Sequence, residues 1–173
     1  MALWTIQDLL DATNGCLARG DRIGSVEGIC IDSRRLRPGE AFVAIRGNRF
    51  DGHQFLAEAA HKGASCLVVS TLTLSMNGAG DLPTILVKDT TRALGQLARF
   101  HRRRFDVPVV AVTGSCGKTT TKELIAHVLG EAETVLKNPG TQNNHIGVPL
   151  ALLQLGPRHT RAVVELGSNH PGE

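Results

Sequence analysis

Residues 109–120 constrain the fold of this chain more than any other segment. Four apolar residues, Val109 to Val112, lead into a short turn bounded by Gly114 and Gly117, and Lys-Thr-Thr follows. A short, continuous, β-branched run is typical of a buried parallel strand. In the segment after the turn, one helical stripe would contain Leu124, Ile125, Val128 and Leu129. The segment therefore predicts a strand, a glycine turn and a helix of an α/β fold.

The turn between the predicted strand and helix has the composition of a phosphate-binding loop. Gly114 and Gly117 let successive backbone N–H groups point into one concavity, which suits phosphate oxygens. Lys118 adds a positive charge for the terminal phosphates, and the Thr119 hydroxyl is suited to ligating Mg²⁺. The positive end of the helix faces the same anion. We therefore predict that a nucleoside triphosphate is held by Gly114, Ser115, Cys116, Gly117, Lys118, Thr119 and Thr120.

One position departs from the general phosphate-loop pattern. That pattern has a glycine five residues before Gly117, where this chain has Val112, so the shorter form Thr-Gly-Ser-x-Gly-Lys-Thr remains. An ordinary glycine turn between a strand and a helix is the alternative. The Gly-Lys-Thr tripeptide stands between a predicted strand and a predicted helix, which is the context that a phosphate loop requires. This context favours the phosphate loop.

The composition of the 173 residues allows one large domain or two small ones. A net charge of +3 suits an anionic ligand and does not by itself favour nucleic acid as a partner. The four cysteines are scattered without a Cys-x-x-Cys pair, so we expect a reducing cytoplasm rather than disulfides or zinc. The sequence shows no signal peptide and no long apolar span, so membrane insertion is not expected.

The first part of the chain reads as alternating short strands and helices. A capping box from Thr5 to Asp8 starts the first helix, and a helix rich in arginine begins near Thr90. The strands predicted between them are residues 28–31, 41–45, 65–70 and 85–88, and a further helix is predicted at 55–62. We expect these elements to form one small α/β domain, residues 1–105.

Residues 106–173 are predicted to begin a parallel-sheet ATPase domain of the phosphate-loop type. After the loop strand, this part offers strands at 133–136 and 161–166 and a helix at 146–153. Open nucleotide-binding sheets usually have five or more strands. We therefore expect the second domain to be incomplete, with an unpaired sheet edge and exposed apolar surface. Either the chain is a fragment or a partner supplies the missing strands, and we favour a fragment.

Three blocks of residues resemble the Mur ligase family, ATP-dependent enzymes that extend the peptide of the peptidoglycan precursor. The first block is Asp-Ser-Arg at 32–34, with Pro-Gly-Glu-Ala-Phe-Val-Ala-Ile-Arg-Gly at 38–47 and Asp-Gly-His at 51–53. The second is the loop at 113–120. The third is Asn-Asn-His-Ile-Gly-Val-Pro at 143–149, with Glu-Leu-Gly-Ser-Asn at 165–169 and Gly-Glu at 172–173. The resemblance spans the chain and implies an N-terminal substrate domain followed by the first part of the central ATPase domain.

Within the family, the third block looks like the members that join D-alanyl-D-alanine to UDP-N-acetylmuramoyl-tripeptide (UDP-MurNAc-tripeptide). The reaction this implies is amide formation through an acyl phosphate. The protein contributes mainly by aligning the reactants and neutralising charge. The resemblance implies ATP and Mg²⁺ as cofactors, those two substrates as partners, and a monomer when the protein is complete.

The resemblance also implies catalytic roles. Lys118 would contact the β- and γ-phosphates, Thr119 would ligate the Mg²⁺ between them, and Glu165 would supply the carboxylate for a second Mg²⁺. From the residues alone, a solvent-exposed glutamate at a strand end is the alternative for Glu165. The carbamylated lysine, the histidine ligand and the acceptor domain of the family would lie beyond Glu173. We therefore expect that the chain alone does not turn over.

The resemblance assigns contact with the UDP-MurNAc substrate to Ser33, Arg34, Gly47, Asp51, His53, Asn143 and Asn144. Arg34 suits a diphosphate because its guanidinium pairs with two phosphate oxygens. The residues alone favour a strand-end turn with a surface arginine at this position. The two asparagines are also common turn residues, and Gln142 stands where many members carry a further asparagine.

Other interpretations stay open from the sequence. A diamino-acid-adding Mur ligase shares the Asp-Ser-Arg block and tends to differ in the later segments. A folyl-polyglutamate synthetase belongs to the same superfamily but lacks the domain that carries this block. A non-catalytic module that binds a UDP-sugar or a nucleotide with the same fold is the non-enzymatic alternative.

Overall fold

The computed structural model describes residues 4–47, 50–72 and 80–167. The chain divides into two compact units, Met1–Gln96 and Leu97–Glu173. Each unit contains a sheet with parallel strands, which confirms the predicted α/β class. The division falls before the boundary near Phe105, which stays a prediction. Within the described ranges, no helix is long and apolar enough to cross a membrane.

Unit 1 is built on a five-stranded sheet. In chain order, its elements are β1 (Trp4–Thr5), α1 (Ile6–Thr13), β2 (Cys16–Arg19), β3 (Ser25–Val26), β4 (Gly28–Cys30), β5 (Glu40–Val43), a 3₁₀ turn (Gly52–Phe55), α2 (Leu56–His61), β6 (Cys66–Val69), β7 (Thr84–Leu86) and the start of α3 (Thr90–Arg102). The strand order is β2-β7-β6-β5-β4. Strands β4 to β7 are parallel neighbours and β2 is antiparallel to β7, while β1 and β3 pair separately.

The first helix begins where the sequence predicts. The Thr5 hydroxyl accepts the N–H of Asp8 at 3.1 Å, and the N–H of Thr5 donates to the Asp8 carboxylate at 2.8 Å. These reciprocal bonds form the predicted capping box. The helix ends at Thr13, and its C-cap Asn14 has a left-handed φ of 50°, which asparagine tolerates. Strands β1, β2 and β3 were not predicted, because two to four residues carry too little alternation to be detected.

The core of unit 1 lies where α2 packs on the central strands. All four residues of β6 are buried, as expected for a parallel strand covered on both faces. Leu56 and Ala59 of α2 pack in one cluster with Phe42 and Leu67 of the sheet. Burying a side chain such as Leu56 contributes roughly 1.5–3 kcal/mol. This core holds the loops at the ends of β4 and β5 in place.

Unit 2 contains a three-stranded parallel sheet with β10 in the middle. After the end of α3, its elements are β8 (Val109–Val112), α4 (Lys118–Gly130), β9 (Val135–Lys137), α5 (Gly147–Leu152) and β10 (Arg161–Glu165), and the strand order is β8-β10-β9. All three strands run in one direction, so their carboxyl ends meet at one edge. Glu165 lies in register with Val112 at that edge. Ligands of open α/β sheets bind at this edge.

The burial predicted for β8 is wrong. Val109 and Val110 are 38% and 36% exposed. In the described part of the chain, β8 is an edge strand that pairs only with β10. An edge strand has one unpaired side, so an apolar run is not enough to bury it.

The apolar stripe predicted for α4 is also wrong in part. Leu124 and Val128 are 60% and 67% exposed. Ile125 and Leu129 instead pack, with Ala126, against the core formed by the sheet. Apolar residues occur on more than one face of this helix, and contact with the sheet decides which of them are buried. The sequence pattern could not distinguish between these faces.

Candidate functional site

The turn after β8 depends on two glycines with positive φ. Gly114 has φ 143° and Gly117 has φ 72°, and Gly117 is the N-cap of α4. L side chains rarely adopt such angles, so glycine lets the turn run directly into the helix. Lys118 Nζ donates to the carbonyl oxygen of Gly114 at 2.7 Å. The ammonium therefore closes over the loop, while Ser115 and Cys116 are exposed to solvent.

The carboxylate of Glu165 is the centre of a second group of polar side chains. Glu165 is only 1% exposed at the end of β10. The Thr119 hydroxyl donates to Glu165 Oε2 at 2.8 Å, and Asn143 Nδ2 donates to Oε1 at 2.7 Å. The structure thus brings together three of the predicted site residues from three separate segments. The alternative of a solvent-exposed glutamate does not hold.

The oxygens of Thr119 and Glu165 fit a magnesium ion. Hydroxyl and carboxylate oxygens are the hard ligands that Mg²⁺ prefers. The resemblance implied a separate Mg²⁺ for each residue, but the two oxygens lie 2.8 Å apart, within reach of one small cation. Across residues 4–47, 50–72 and 80–167, no group of three His, Cys, Asp or Glu residues could hold a metal ion. A magnesium ion here would therefore take its remaining ligands from phosphate oxygens and water, as is usual for this ion.

Asn144 has a local structural role. Its Oδ1 accepts the N–H groups of Ile146 at 3.1 Å and of Gly147, the first residue of α5, at 2.8 Å. Since Oδ1 already accepts two hydrogen bonds, the side-chain nitrogen Nδ2 is the atom of Asn144 that could donate to the substrate. This contact stays a prediction. The backbone of Gln142 lies against Gly147, where an added Cβ would stand 2.8 Å from Gln142 Cβ. Thr120 is exposed on the first turn of α4.

Two buried polar residues beside Glu165 were not predicted from the sequence. Lys122 and Asn138 are both 0% exposed. Lys122 Nζ lies 4.0 Å from Glu165 Oε2, and Asn138 Oδ1 accepts the N–H of Glu165 at 2.9 Å. A lysine within a helix and an asparagine before Pro-Gly are both typical of exposed positions. No sequence signal showed that these side chains turn inward.

Unit 1 contains a cavity of about 510 Å³ next to the end of β4. Its lining is Ile31, Asp32, Ser33, Arg34, Phe42, Ile45, Phe50, Gly52, Phe55 and Glu58. The volume lies in the range of small-molecule sites. Ser33 and Arg34 line this cavity, as predicted for substrate residues. The phenylalanines were missed because aromatic residues spaced along the chain are ordinarily read as core.

Arg34 lies on this cavity with its guanidinium paired to Asp32. Arg34 Nε donates to Oδ1 of Asp32 at 2.9 Å and Nη2 donates to Oδ2 at 2.8 Å. These hydrogen bonds lower the pKa of the Asp32 carboxyl to about 2 and raise the pKa of Arg34. The Arg34 side chain is 83% exposed. The guanidinium is therefore oriented by Asp32 and still faces solvent.

Ser33 is fixed in place by α2 and its C-terminal end. The Ser33 hydroxyl donates to Glu58 Oε2 at 3.1 Å, and Lys62 Nζ donates to the Ser33 carbonyl oxygen at 2.9 Å. Lys62 also pairs with Glu58 at 2.8 Å, and this hydrogen bond lowers the pKa of Glu58. The cavity wall is thus built on a small polar network.

Gly47, Asp51 and His53 do not line the cavity. His53 is 3% exposed, with Nδ1 2.6 Å from Asp51 Oδ1 and Nε2 accepting the N–H of Ser70 at 3.0 Å. Since Nε2 accepts, the ring proton lies on Nδ1 and is donated to Asp51. The imidazole therefore ties the turn to the end of β6, and the predicted substrate contact of His53 stays a prediction. Asp51 also accepts a bond from Arg46 at 2.9 Å.

Two family models cover most of the chain. The model described as Mur ligase family, catalytic domain, matches residues 25–102, and the Mur ligase middle domain matches residues 112–173. The first match contains the cavity of unit 1, and the second contains the phosphate loop and Glu165. The chain belongs to the Mur ligase family.

Among Mur ligases, the chain is similar to UDP-N-acetylmuramoyl-tripeptide--D-alanyl-D-alanine ligases. It is 44% identical to the one from Escherichia coli strain K12 over 169 residues, which are 98% of this chain and 36% of that protein. A crystal structure of MurF from Acinetobacter baumannii has 39% identity and a TM-score of 0.88, over 98% of this chain and 37% of that one. The MurF ligase from Thermotoga maritima in complex with ADP has 36% identity and a TM-score of 0.75, over 84% and 33%. The chain thus spans about a third of the length of these relatives.

Residues 168–173, the end of the third sequence block, lie outside the described residues. The resemblance to the Mur ligases is confirmed by the two family models. The resemblance to the D-alanyl-D-alanine-adding members agrees with the names of the relatives.

Proposed function

We propose that this chain provides the substrate-binding domain and the phosphate-binding part of a ligase that adds D-alanyl-D-alanine to UDP-MurNAc-tripeptide. The observation that carries the proposal is the cluster around Glu165. A buried carboxylate at the end of the central strand is hydrogen-bonded to Thr119, directly beside Lys118 and its loop. This arrangement suits a nucleotide with its metal ion, which are ATP and Mg²⁺ in the proposed reaction.

The proposed reaction forms an amide from a carboxylate and an amine. The γ-phosphoryl group of ATP moves to the terminal carboxylate of the tripeptide, which gives an acyl phosphate and ADP. The amino group of D-alanyl-D-alanine then attacks the acyl carbon, and inorganic phosphate leaves. A free carboxylate is a poor electrophile, so phosphorylation supplies the leaving group. The chain's part is to align the reactants and to compensate charge.

Several predicted residues of unit 2 have a place in this scheme. Lys118 and the N–H groups of the loop would hold the phosphates, and Thr119 and Glu165 would hold the metal. Mg²⁺, when bound, offsets negative charge on the transferred group. Asn143, predicted as a substrate contact, would also keep the Glu165 carboxylate oriented through its 2.7 Å hydrogen bond. Residues outside this chain would supply the acceptor site.

The cavity of unit 1 supports binding of the UDP portion. Phe50 and Phe55 offer aromatic faces, on which a base can stack. Arg34 has a guanidinium fork that pairs with phosphate oxygens, and Asp32 orients it. Since all four cysteines are free thiols, we further propose a cytoplasmic protein. From the resemblance we also propose a monomer when the protein is complete, and from the small net charge no nucleic-acid partner.

Nucleotide binding is tested by calorimetry with ADP and Mg²⁺ on the chain. Lys118→Ala removes the charge-assisted contact with the phosphates, so we expect roughly 10- to 100-fold weaker binding. Lys137→Ala is the matched control, because Lys137 is an exposed lysine that pairs with Glu123. Equal affinities of Lys118→Ala and wild type would contradict the phosphate-loop assignment.

Substrate choice is tested by calorimetry with UDP-MurNAc-tripeptide and UDP-MurNAc-dipeptide. A D-alanyl-D-alanine-adding enzyme should bind the tripeptide more tightly, whereas a diamino-acid-adding enzyme should prefer the dipeptide. Arg34→Ala should weaken both, and Arg35→Ala, the exposed neighbour, should not. Preference for the dipeptide would overturn the proposed member, and no binding by a folded chain would overturn the substrate site.

A further inference from the structure

Lys122 is a buried charge that the proposed reaction does not use. We propose that Lys122, together with Asn138, is a positioning residue that holds the Glu165 carboxylate next to Thr119 for the metal ion of the nucleotide. The inference rests on the proposed function, because it concerns the site at which that function takes place. Neither residue would touch the nucleotide or the substrate.

The three N–H donors of the Lys122 ammonium all have acceptors. Nζ donates to the carbonyl oxygens of Asn138 and Gly140, both at 2.8 Å, and lies 3.1 Å from Glu123 Oε1. Glu165 Oε2 follows at 4.0 Å, close enough for charge attraction without a hydrogen bond. Lys122 thereby ties α4 to the segment after β9 and neutralises the buried carboxylate beside it.

The side chain of Asn138 links this segment to the backbone of β10. Its Oδ1 accepts the N–H of Glu165 at 2.9 Å, and its Nδ2 donates to the Glu165 carbonyl oxygen at 3.1 Å and to that of Gln142 at 2.8 Å. Both backbone groups of Glu165 are therefore held by one side chain. The side chain of Glu165 can then leave the strand in only a narrow range of directions.

The cost of burying Lys122 argues for a positional role. Removing an ammonium from water is expensive, and an apolar side chain of similar length would fill the space without that cost. The positive charge of Lys122 is needed because the carbonyl oxygens of Asn138 and Gly140 and the Glu165 carboxylate all face this point. The Lys122 ammonium therefore fixes the position of α4 relative to the end of β10. The first of these elements begins with Lys118 and Thr119, and the second carries Glu165.

The two proposed metal ligands come from different elements, so their separation depends on this connection. Thr119 lies on the first turn of α4, one turn before Lys122. Glu165 lies at the end of β10, and their oxygens are 2.8 Å apart. Residues that orient metal ligands typically change metal affinity by about 10- to 100-fold when they are replaced.

The test compares Lys122→Met with Lys137→Met on the same chain. ADP affinity is measured by calorimetry, first with EDTA and then over a Mg²⁺ titration. We expect Lys122→Met to keep the metal-free ADP affinity and to need about 10- to 100-fold more Mg²⁺ for the metal-dependent gain. Lys137→Met removes an exposed lysine that also pairs with Glu123, and it should behave as wild type. Wild-type Mg²⁺ dependence in folded Lys122→Met would overturn the proposal, as would an equal loss with and without metal.

Amide hydrogen exchange provides a measurement that requires no variant. The N–H of Glu165 should be strongly protected in the unliganded chain, because Asn138 holds it, and exchange at the rate of an exposed loop would overturn the proposal. If Lys122→Met folds, faster exchange at Glu165 supports the proposal and unchanged exchange contradicts it. If wild type binds no ADP, the proposed function fails, while the exchange measurements still decide the positioning role.

Discussion

At the scale of single residues, several buried polar side chains in the described part of the chain belong to hydrogen-bond networks that hold loops in place. His53 is tied to Asp51 and Ser70, and Glu165 to Thr119 and Asn143. A buried polar group without partners is costly, so such networks specify one arrangement of the loops that carry them. Such hydrogen bonds also make the pKa of a carboxyl group differ between the folded and the unfolded chain.

Asp51 illustrates this dependence and leads to a prediction about acid stability. Burial alone would raise the pKa of Asp51, but hydrogen bonds from the backbone and ring of His53 and from Arg46 lower it to about 2. A depressed carboxyl pKa gives stability that is complete above the unfolded pKa of about 3.9 and is lost as the pH falls toward 2. We expect Asp51→Asn to lower the free energy of unfolding at pH 7 by up to about 2 kcal/mol.

Urea unfolding at pH 7 and pH 3 measures this effect. The difference between wild type and Asp51→Asn should shrink at pH 3, because the wild-type carboxyl then begins to lose its advantage. Asp21→Asn removes one exposed carboxylate from the same unit and serves as the control. A difference that is constant over this pH range would contradict the assignment.

At the scale of elements, helix α4 is bounded by two glycines whose backbone conformations differ. It begins after Gly117, which has φ 72°, and ends at Gly130. A Cβ built on either glycine would meet no atom within 4 Å. The effect of alanine at the two positions therefore differs only through the backbone conformation. The first glycine serves the turn and the helix start, while the second is an ordinary weak point of a helix.

Alanine at these two positions should therefore have opposite effects. Gly117→Ala must adopt a left-handed conformation, so we expect a loss of about 1–2 kcal/mol and weaker ADP binding. Gly130 is the last residue of α4 and has no positive φ, so for Gly130→Ala we expect a gain of up to about 1 kcal/mol with unchanged ADP binding. Thermal unfolding and calorimetry check both variants. Changes of the same sign in stability would show that the φ of Gly117 is not what the turn requires.

At the scale of the whole molecule, the surface beside α4 exposes large apolar side chains. A cavity of about 850 Å³ runs along this helix and is lined in part by Thr119, Leu124 and Lys137. The exposed Val128 lies on the same helix. Exposed apolar residues that are grouped in this way favour association between molecules. The phosphate loop lies at the start of this helix, so the surface adjoins the proposed nucleotide site.

Charged residues on this surface should make the chain more soluble without unfolding it. Leu124→Glu with Val128→Lys creates an i,i+4 pair on the exposed face. We expect less self-association in sedimentation velocity and an unfolding free energy within about 0.5 kcal/mol of wild type. Ile125→Glu, on the same helix but packed against the core, should destabilise unit 2 strongly. Equal loss of stability in both variants would show that Leu124 and Val128 are buried in solution.

The sequence by itself determined the features that depend on local conformation. The glycine turn before Lys118, the capping box at Thr5 and the succession of strands and helices follow from residues that are neighbours along the chain. Backbone angles and periodic patterns are local properties, so the chain carries them directly. The family blocks added the roles of Thr119 and Glu165, and the structure brings these two residues into contact.

Only the tertiary structure decided what each element faces. It exposed Val109 and Leu124, which the pattern had buried, and it buried Lys122 and Asn138, which the pattern would have left in water. It also left His53 out of the cavity lining of unit 1 and bonded its ring to Asp51 and Ser70. Burial depends on which strand is a neighbour and on which carbonyl oxygens converge, and these contacts join residues far apart in the sequence. No local pattern records them, since they exist only once the sheet has formed.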